Sequence, residues 1–133
     1  MSSSVILSIH PEYSRKILAG KKTWEFRKRI WNDENVSMIY IYETAPTSAI
    51  VGVIKDFEIF RDRPWKLYDE AGQGSGIDFD EFDDYFENVE IGYGIQIYSV
   101  VGFFEPIALS DFGISKPPQN FCYILSTTER MHV

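Results

Sequence analysis

The 133-residue sequence predicts an α+β domain, a small mixed β-barrel of about six strands decorated by short helices. Three observations lead there. Several short runs rich in β-branched and aromatic residues are separated by turn signals. A few segments between them carry helical spacing, two of them opened by proline. The length suits one domain with a core of its own, near the usual ~100–150 residues. No internal repeat or linker divides it, so residues 1–133 read as a single domain.

Val5 to Ile9 is a short, mostly apolar strand. Pro11 then suits the first turn of a helix over 11–19. Tyr13, Ile17 and Leu18 share one face of it, and Arg15 and Lys16 lie opposite. Gly20 is a natural stop. From Lys22 to Arg29 the sequence alternates with period two, which predicts a half-buried strand. Trp24 and Phe26 point to one side, and Thr23, Glu25, Arg27 and Arg29 to the other. Residues 36–43 form a third strand, Thr44-Ala45-Pro46 a turn, and residues 49–60 a long fourth strand. Gly52 marks a bulge or a close approach within it. Residues 64–71 read as a helix opened by Pro64. Residues 78–87 place Phe79, Phe82 and Phe86 along one helical stripe, suited to core packing. Residues 91–104 are β-rich, and Lys116-Pro117-Pro118 breaks the chain before a last strand at 120–125.

The composition excludes several classes. With 44% apolar and 16% aromatic residues, global disorder is out. The single cysteine, Cys122, cannot form an internal disulfide and reads as a small core residue, which suits a reducing cytoplasm. No export signal or membrane-length apolar run is present. His10 and His132 sit far apart without neighbouring cysteines, so zinc spacing is absent and no metal or other cofactor is expected. The loop Gly72-Gln73-Gly74-Ser75-Gly76 lacks the Lys-Ser/Thr of a phosphate-binding loop. It is not a nucleophile elbow either. Asp78-x-Asp80 fails the calcium-loop pattern at its sixth and twelfth positions, Asp83 and Val89.

The net charge of −7 argues at first against a nucleic-acid partner. The charges are segregated, however. Residues 1–30 hold seven basic and two acidic side chains, or +5, and the remaining six basic and eighteen acidic groups give −12. Residues 78–90 hold seven acids and no Lys or Arg, which makes a solvated face or a dock for a basic protein.

The basic end coincides with the alternating strand. Same-face neighbours on a strand lie ~7 Å apart, a spacing that suits contacts along one extended or planar ligand. An arginine fork matches phosphate or a base edge, and a glutamate can accept from a base amino group. Lys22 can bind phosphate, or do chemistry if burial lowers its pKa. A surface Glu–Arg pair is the plainer use of Glu25 and Arg27.

The opening ILSIHPEYSRKILAGKKTWEFRKR resembles the start of ASCH domains, a PUA-like group. Their mark, G-x-K-x-x-E-x-R after a proline-led helix, falls on Gly20, Lys22, Glu25 and Arg27. The likeness continues through Tyr42, Pro46 and Gly52. It extends to Gly76, Phe82, Tyr85, Phe86 and Gly94, and to the closing LSDFGISKPPQNFCYI. The resemblance implies a PUA-like barrel with a cleft lined by the motif strand and the preceding helix. It implies RNA, DNA or a modified nucleobase as ligand. One branch of the family is similar to N4-acetylcytidine amidohydrolases, whose motif reads G-x-K-T-x-T-x-R. Lys22 matches its lysine, but Glu25 stands where its second threonine supplies a hydroxyl. Another branch is similar to ribonucleases, for which Lys22, Glu25 and Arg27 would supply base and cation.

Three readings follow. The first is a binding module with Lys21, Lys22, Arg27 and Arg29 near phosphates, Thr23 in the contact row, and Glu25 near a base edge. Trp24 and Tyr42 serve there as stacking surfaces or as core. The second is an enzyme on RNA or a modified nucleoside with Lys22 and Glu25 as its catalytic pair. The third is an acidic protein-interaction module through residues 78–90.

Overall fold

The computed structural model of the chain describes residues 2–124. The elements run β1 (Ser3–Ile9), α1 (Pro11–Leu18), β2 (Trp24–Arg27), β3 (Val36–Glu43), β4 (Ala49–Asp62), α2 (Pro64–Ala71), α3 (Phe79–Tyr85), β5 (Gly92–Ile107) and β6 (Phe121–Ile124). Short 3-10 turns occupy Gly72–Ser75 and Leu109–Phe112. The strands form one sheet in the order β2-β5-β4-β3-β1-β6. β1 and β3 pair in parallel, and the other neighbours are antiparallel.

The six strands and the α+β class are as expected, but the sheet is open and not a closed barrel. Its two edges are β2 and β6, and no ladder joins them among the described residues. A side chain spans this seam instead. Arg27 Nη2 donates to Ser8 O of β1 at 2.6 Å, and Nη1 to Asn120 Oδ1, just before β6, at 3.0 Å. Asn120 Nδ2 donates back to Arg29 O at 3.1 Å. Side-chain donors therefore stand where backbone amides would sit in a barrel ladder.

β1 is buried along most of its length because α1 and the sheet cover one face and the end of β5 and the Leu109 turn cover the other. Val5, Leu7 and Ile9 join Ile17, Ile39, Ile41, Ile54 and Ile95 in the main core. Ile6 faces the opposite way, with Tyr42, Ile50 and Leu109. A second cluster holds Trp24 and Phe26 against Leu67, Phe82 and Phe86. Each such side chain contributes about 1.5–3 kcal/mol when fully buried, so β2 is fastened to α2 and α3 by its apolar side. Cys122 is half-buried against the Ile6 cluster.

Local signals explain the helix bounds. Pro11 opens α1, and Gly20 ends the following turn at φ +75°, a conformation glycine adopts without steric cost. Asp78 caps α3 by accepting from Glu81 N at 2.9 Å, with Asp80 and Glu81 in the favourable first turn. The stripe is only partly core: Phe82 and Phe86 are buried, but Phe79 is 55% exposed and meets Tyr68 edge-on. β4 and β5 are longer than expected because they pair with each other from Ile50↔Ile107 to Asp62↔Gly92. Of the expected last strand, Leu125 lies outside the described residues, as does His132.

Candidate functional site

A cleft of about 860 Å³ opens along the seam between β2 and the β1/β6 side of the sheet. β2 contributes Glu25, Phe26 and Arg27, and the chain beyond it Lys28 and Arg29. Ser8, His10 and Tyr13 come from the end of β1 and the start of α1. Ile77, Glu81, Phe82, Asp84 and Tyr85 come from α3 and its approach, and Gln119 and Asn120 close the far end.

Lys22 is the most unusual group. It lies just before β2, and only 2% of its surface is exposed. Its Nζ donates to Ser75 O, stands 3.8 Å from Glu25 Oε1, and lies 5.3 and 5.2 Å from the ring centres of Tyr13 and Phe26. Burial pushes its pKa below the ordinary 10.5, and the Glu25 carboxylate partly opposes that shift. The glycine loop makes this possible. A Cβ on Gly76 would lie 2.5 Å from Lys22 Cγ, and one on Gly74 would lie 2.2 Å from Thr23 Oγ1. The loop thus carries no phosphate-binding signature but lets backbone close over the lysine stem.

Glu25 joins two cations. Its Oε2 accepts from Arg27 Nε at 3.0 Å and Nη2 at 2.8 Å, a close, charge-assisted pair. Its Oε1 faces Lys22. Arg27, with its bonds to Ser8 O and Asn120, has directed donors from all three guanidinium nitrogens inward. The trio Lys22–Glu25–Arg27 is an internally paired charge chain at the base of the cleft, with Lys22 and Glu25 buried and Arg27 partly so.

The rim is different. Lys28 and Arg29 are exposed, and Lys28 Nζ lies 4.7 Å from the Tyr85 ring centre. Tyr85 OH accepts from Lys28 N at 3.3 Å, and burial pushes its phenol pKa up. Tyr13 OH donates to Glu81 Oε2 at 2.6 Å across the cleft, and burial and that carboxylate raise the Tyr13 pKa strongly. His10 Nδ1 pairs with Thr44 Oγ1 at 3.3 Å. Among the described residues no cluster of three or more His, Cys, Asp or Glu is placed to hold a metal, and no helix is long and apolar enough to cross a membrane.

Of the residues expected at a ligand, the structure brings Lys22, Glu25, Arg27 and Arg29 to one cleft. Lys21, Thr23 and Tyr42 do not line it. Lys21 is exposed on the turn after α1, where its N–H meets Lys16 O. Thr23 turns toward Gly74, its N–H bonded to Gly74 O and its carbonyl to Ile97 N, so the row of same-face contacts breaks there. Tyr42 packs in the Ile6–Ile50–Leu109 cluster, and Trp24 in the α2/α3 cluster. Sequence reasoning missed Lys28, His10, Tyr13, Asn120, and Glu81 with Asp84 as cleft wall. Lys28 alternates out of phase with the motif, and the others arrive from distant segments. The signal for Tyr13 was the preceding helix, which the resemblance places along the cleft.

A family model described as the ASCH domain matches residues 7–101. The chain belongs to the ASCH domain family. Among curated proteins, an "ASCH domain-containing ribonuclease" of Zymomonas mobilis is 32% identical over 85 residues. That match covers 64% of this chain and 57% of the relative, so it spans little more than half of the relative's length. The crystal structure of ASCH from Zymomonas mobilis superposes with a TM-score of 0.84 at 26% identity, covering 96% of this chain and 91% of the other. A tyrosine-to-phenylalanine mutant of the same protein gives 0.84, with 97% and 94% covered. The ASCH fold therefore extends beyond the family match, through β5 and β6.

Proposed function

We propose that this ASCH domain binds single-stranded RNA, one nucleotide entering the cleft while the flanking phosphates lie along Lys28 and Arg29. The observation that carries this reading is the division of charge within the cleft. Arg27 and Lys22 spend their donors on Glu25, Ser8, Ser75 and Asn120, whereas Lys28 and Arg29 stand exposed at the mouth. The cleft falls within the ~300–1,000 Å³ typical of sites for small ligands, a size that suits one nucleotide. The exposed Tyr85 offers a stacking face at the rim, and Asn120 and Gln119 offer donors and acceptors to a base edge. The curated relative's name, a ribonuclease, agrees with RNA as the polymer.

A second reading, cleavage of that RNA, is favoured by one observation: a lysine whose burial lowers its pKa sits in the cleft wall beside a carboxylate. As a neutral amine Lys22 would take the proton of a 2′-hydroxyl. The 2′-oxygen would then attack the adjacent phosphorus as the P–O5′ bond breaks; the 5′-oxygen would take a proton from water and the Lys22 ammonium would return its proton to solvent, giving a 2′,3′-cyclic phosphate and a 5′-hydroxyl. The amidohydrolase reading has less support, because Glu25 carries no hydroxyl nucleophile and both its oxygens face cations.

Fluorescence anisotropy with a short single-stranded RNA, over a salt series, tests the binding reading. Each phosphate that is no longer neutralised lowers the salt slope by about 0.7 for a single strand. Lys28→Ala/Arg29→Ala should flatten the slope by about twice that and weaken binding, with a matched DNA strand as comparison. No RNA binding by the unmodified protein at low salt would overturn the proposal. Loss of cleavage in Lys22→Met with RNA affinity retained would support the second reading, and cleavage by Lys22→Met would end it.

A further inference from the structure

We infer that Tyr13 and Glu81 form a gate over Lys22, so that its buried amine is closed to solvent until their hydrogen bond parts. This goes beyond RNA binding and does not depend on which polymer the cleft takes. Lys22 contributes to the wall of a large open cleft, yet only 2% of it is exposed. Its ammonium is enclosed by Ser75 O, Glu25 and the Phe26 ring, which belong to the packed loop and to β2. A further neighbour is the Tyr13 ring, 5.3 Å away on α1. Ser75 is buried and Phe26 is wedged edge-on against Phe82 and Phe86, so neither can yield without dismantling the core. Tyr13 is only partly buried, and its hydroxyl is held by Glu81 through an exposed bond of 2.6 Å. Glu81 itself is an exposed residue in the first turn of α3. The bond that closes the space over Lys22 is thus also one that water can compete for.

A second tie supports the assignment. Lys16 Nζ donates to Gly76 O at 3.2 Å, joining α1 to the glycine that packs against the Lys22 stem. With α1 fixed there and by Ile17 in the core, opening needs only a rotation of the Tyr13 side chain.

Amine labelling tests the gate without any ligand. Reductive methylation of the native protein, read by peptide mass spectrometry, compares Lys22 with the exposed Lys55 as internal standard. Lys22 should react at least about tenfold more slowly than Lys55. Tyr13→Phe, which removes the hydroxyl but no charge, and Glu81→Ala, which removes the acceptor, should each raise the Lys22 rate at least about threefold. The double variant should rise no further than the faster single, because both break one bond. An unchanged Lys22 rate in either single variant overturns the gate. So does a rise in the double variant equal to the product of the two. A thermal melt of each variant, unchanged from the parent, separates gate opening from loss of fold. If Tyr13→Phe fails to fold, Glu81→Ala at the exposed acceptor decides alone. Failure of RNA binding would leave these rates as predicted, so the two proposals fail separately.

Discussion

Glu25 and Glu43 are both buried carboxylates, yet they are satisfied in opposite ways. Glu43, at the end of β3, accepts from the hydroxyls of Ser14 and Thr47, and its one cation among the described residues is Arg15 at 3.5 Å, itself two-thirds exposed. It pins α1 to the β3–β4 turn through neutral donors. Glu25 meets two cations, the buried Lys22 and the partly buried Arg27, beside an open cleft. A carboxylate held by hydroxyls fixes geometry and little else. One held between two desolvated cations shapes the charge state of its neighbours, and that is where chemistry is to be sought. The contrast also separates the two halves of the basic segment: the motif cations are paired within the fold, and Lys28 and Arg29 beyond them are exposed at the mouth of the cleft.

The largest expected effect comes from breaking the Glu25 side. Glu25→Ala leaves the buried Lys22 and the partly buried Arg27 without their shared counter-charge and should cost about 3–5 kcal/mol in urea unfolding. Glu43→Ala should cost less, about 1–3 kcal/mol, since two hydroxyls lose an acceptor and the Arg15 contact is screened by solvent. Equal losses in the two variants would remove the distinction.

The next effect is one of pH. The folded pKa of Lys22 lies below its unfolded value near 10.5, so between the two the unfolded chain binds more protons. Stability therefore rises with pH through that window. The raised phenols of Tyr13 and Tyr85 act the other way, but only from about pH 10 upward, where the unfolded phenols ionise. Lys22→Met should remove the Lys22 slope and leave the tyrosine one, which denaturation across alkaline pH would show. A Lys22→Met profile parallel to the parent's would mean that the lysine is not desolvated.

The smallest effect concerns Tyr42. It is 4% exposed, and its hydroxyl has no hydrogen-bond partner among the described residues. Tyr42→Phe should change stability by less than about 1 kcal/mol, because no hydrogen bond among the described residues is removed. A fall in RNA affinity at unchanged stability would return Tyr42 to the ligand site.

Much of this architecture was legible in the chain. The proline-led helix, the Gly20 stop, the alternation of Trp24, Glu25, Phe26 and Arg27, and the core role of Phe82 and Phe86 all rest on local periodicity, which survives folding. The open sheet was not, because closure is decided at a seam where Arg27 meets Asn120, 93 residues away. The site was legible by residue type but not by role. Period two left Glu25 and Arg27 as either a contact row or a Glu–Arg pair; the structure has the pair, largely buried at the cleft where a surface pair was expected. Lys22 read as a phosphate binder or, if buried, as a lysine of lowered pKa; which of the two was not legible, because the loop that buries it lies 53 residues downstream. A glycine loop without a nucleotide signature gives no hint that its missing side chains make room for a lysine.

The division between spent and free cations is tested most directly by backbone amide chemical shifts during titration with a short single-stranded RNA. Saturable shifts centred on Lys28, Arg29, Tyr85 and Asn120, absent in Lys28→Ala/Arg29→Ala, are the predicted result. Shifts centred instead on the Glu43 side of α1, or on the exposed face of β4 and β5 with the cleft silent, would contradict it.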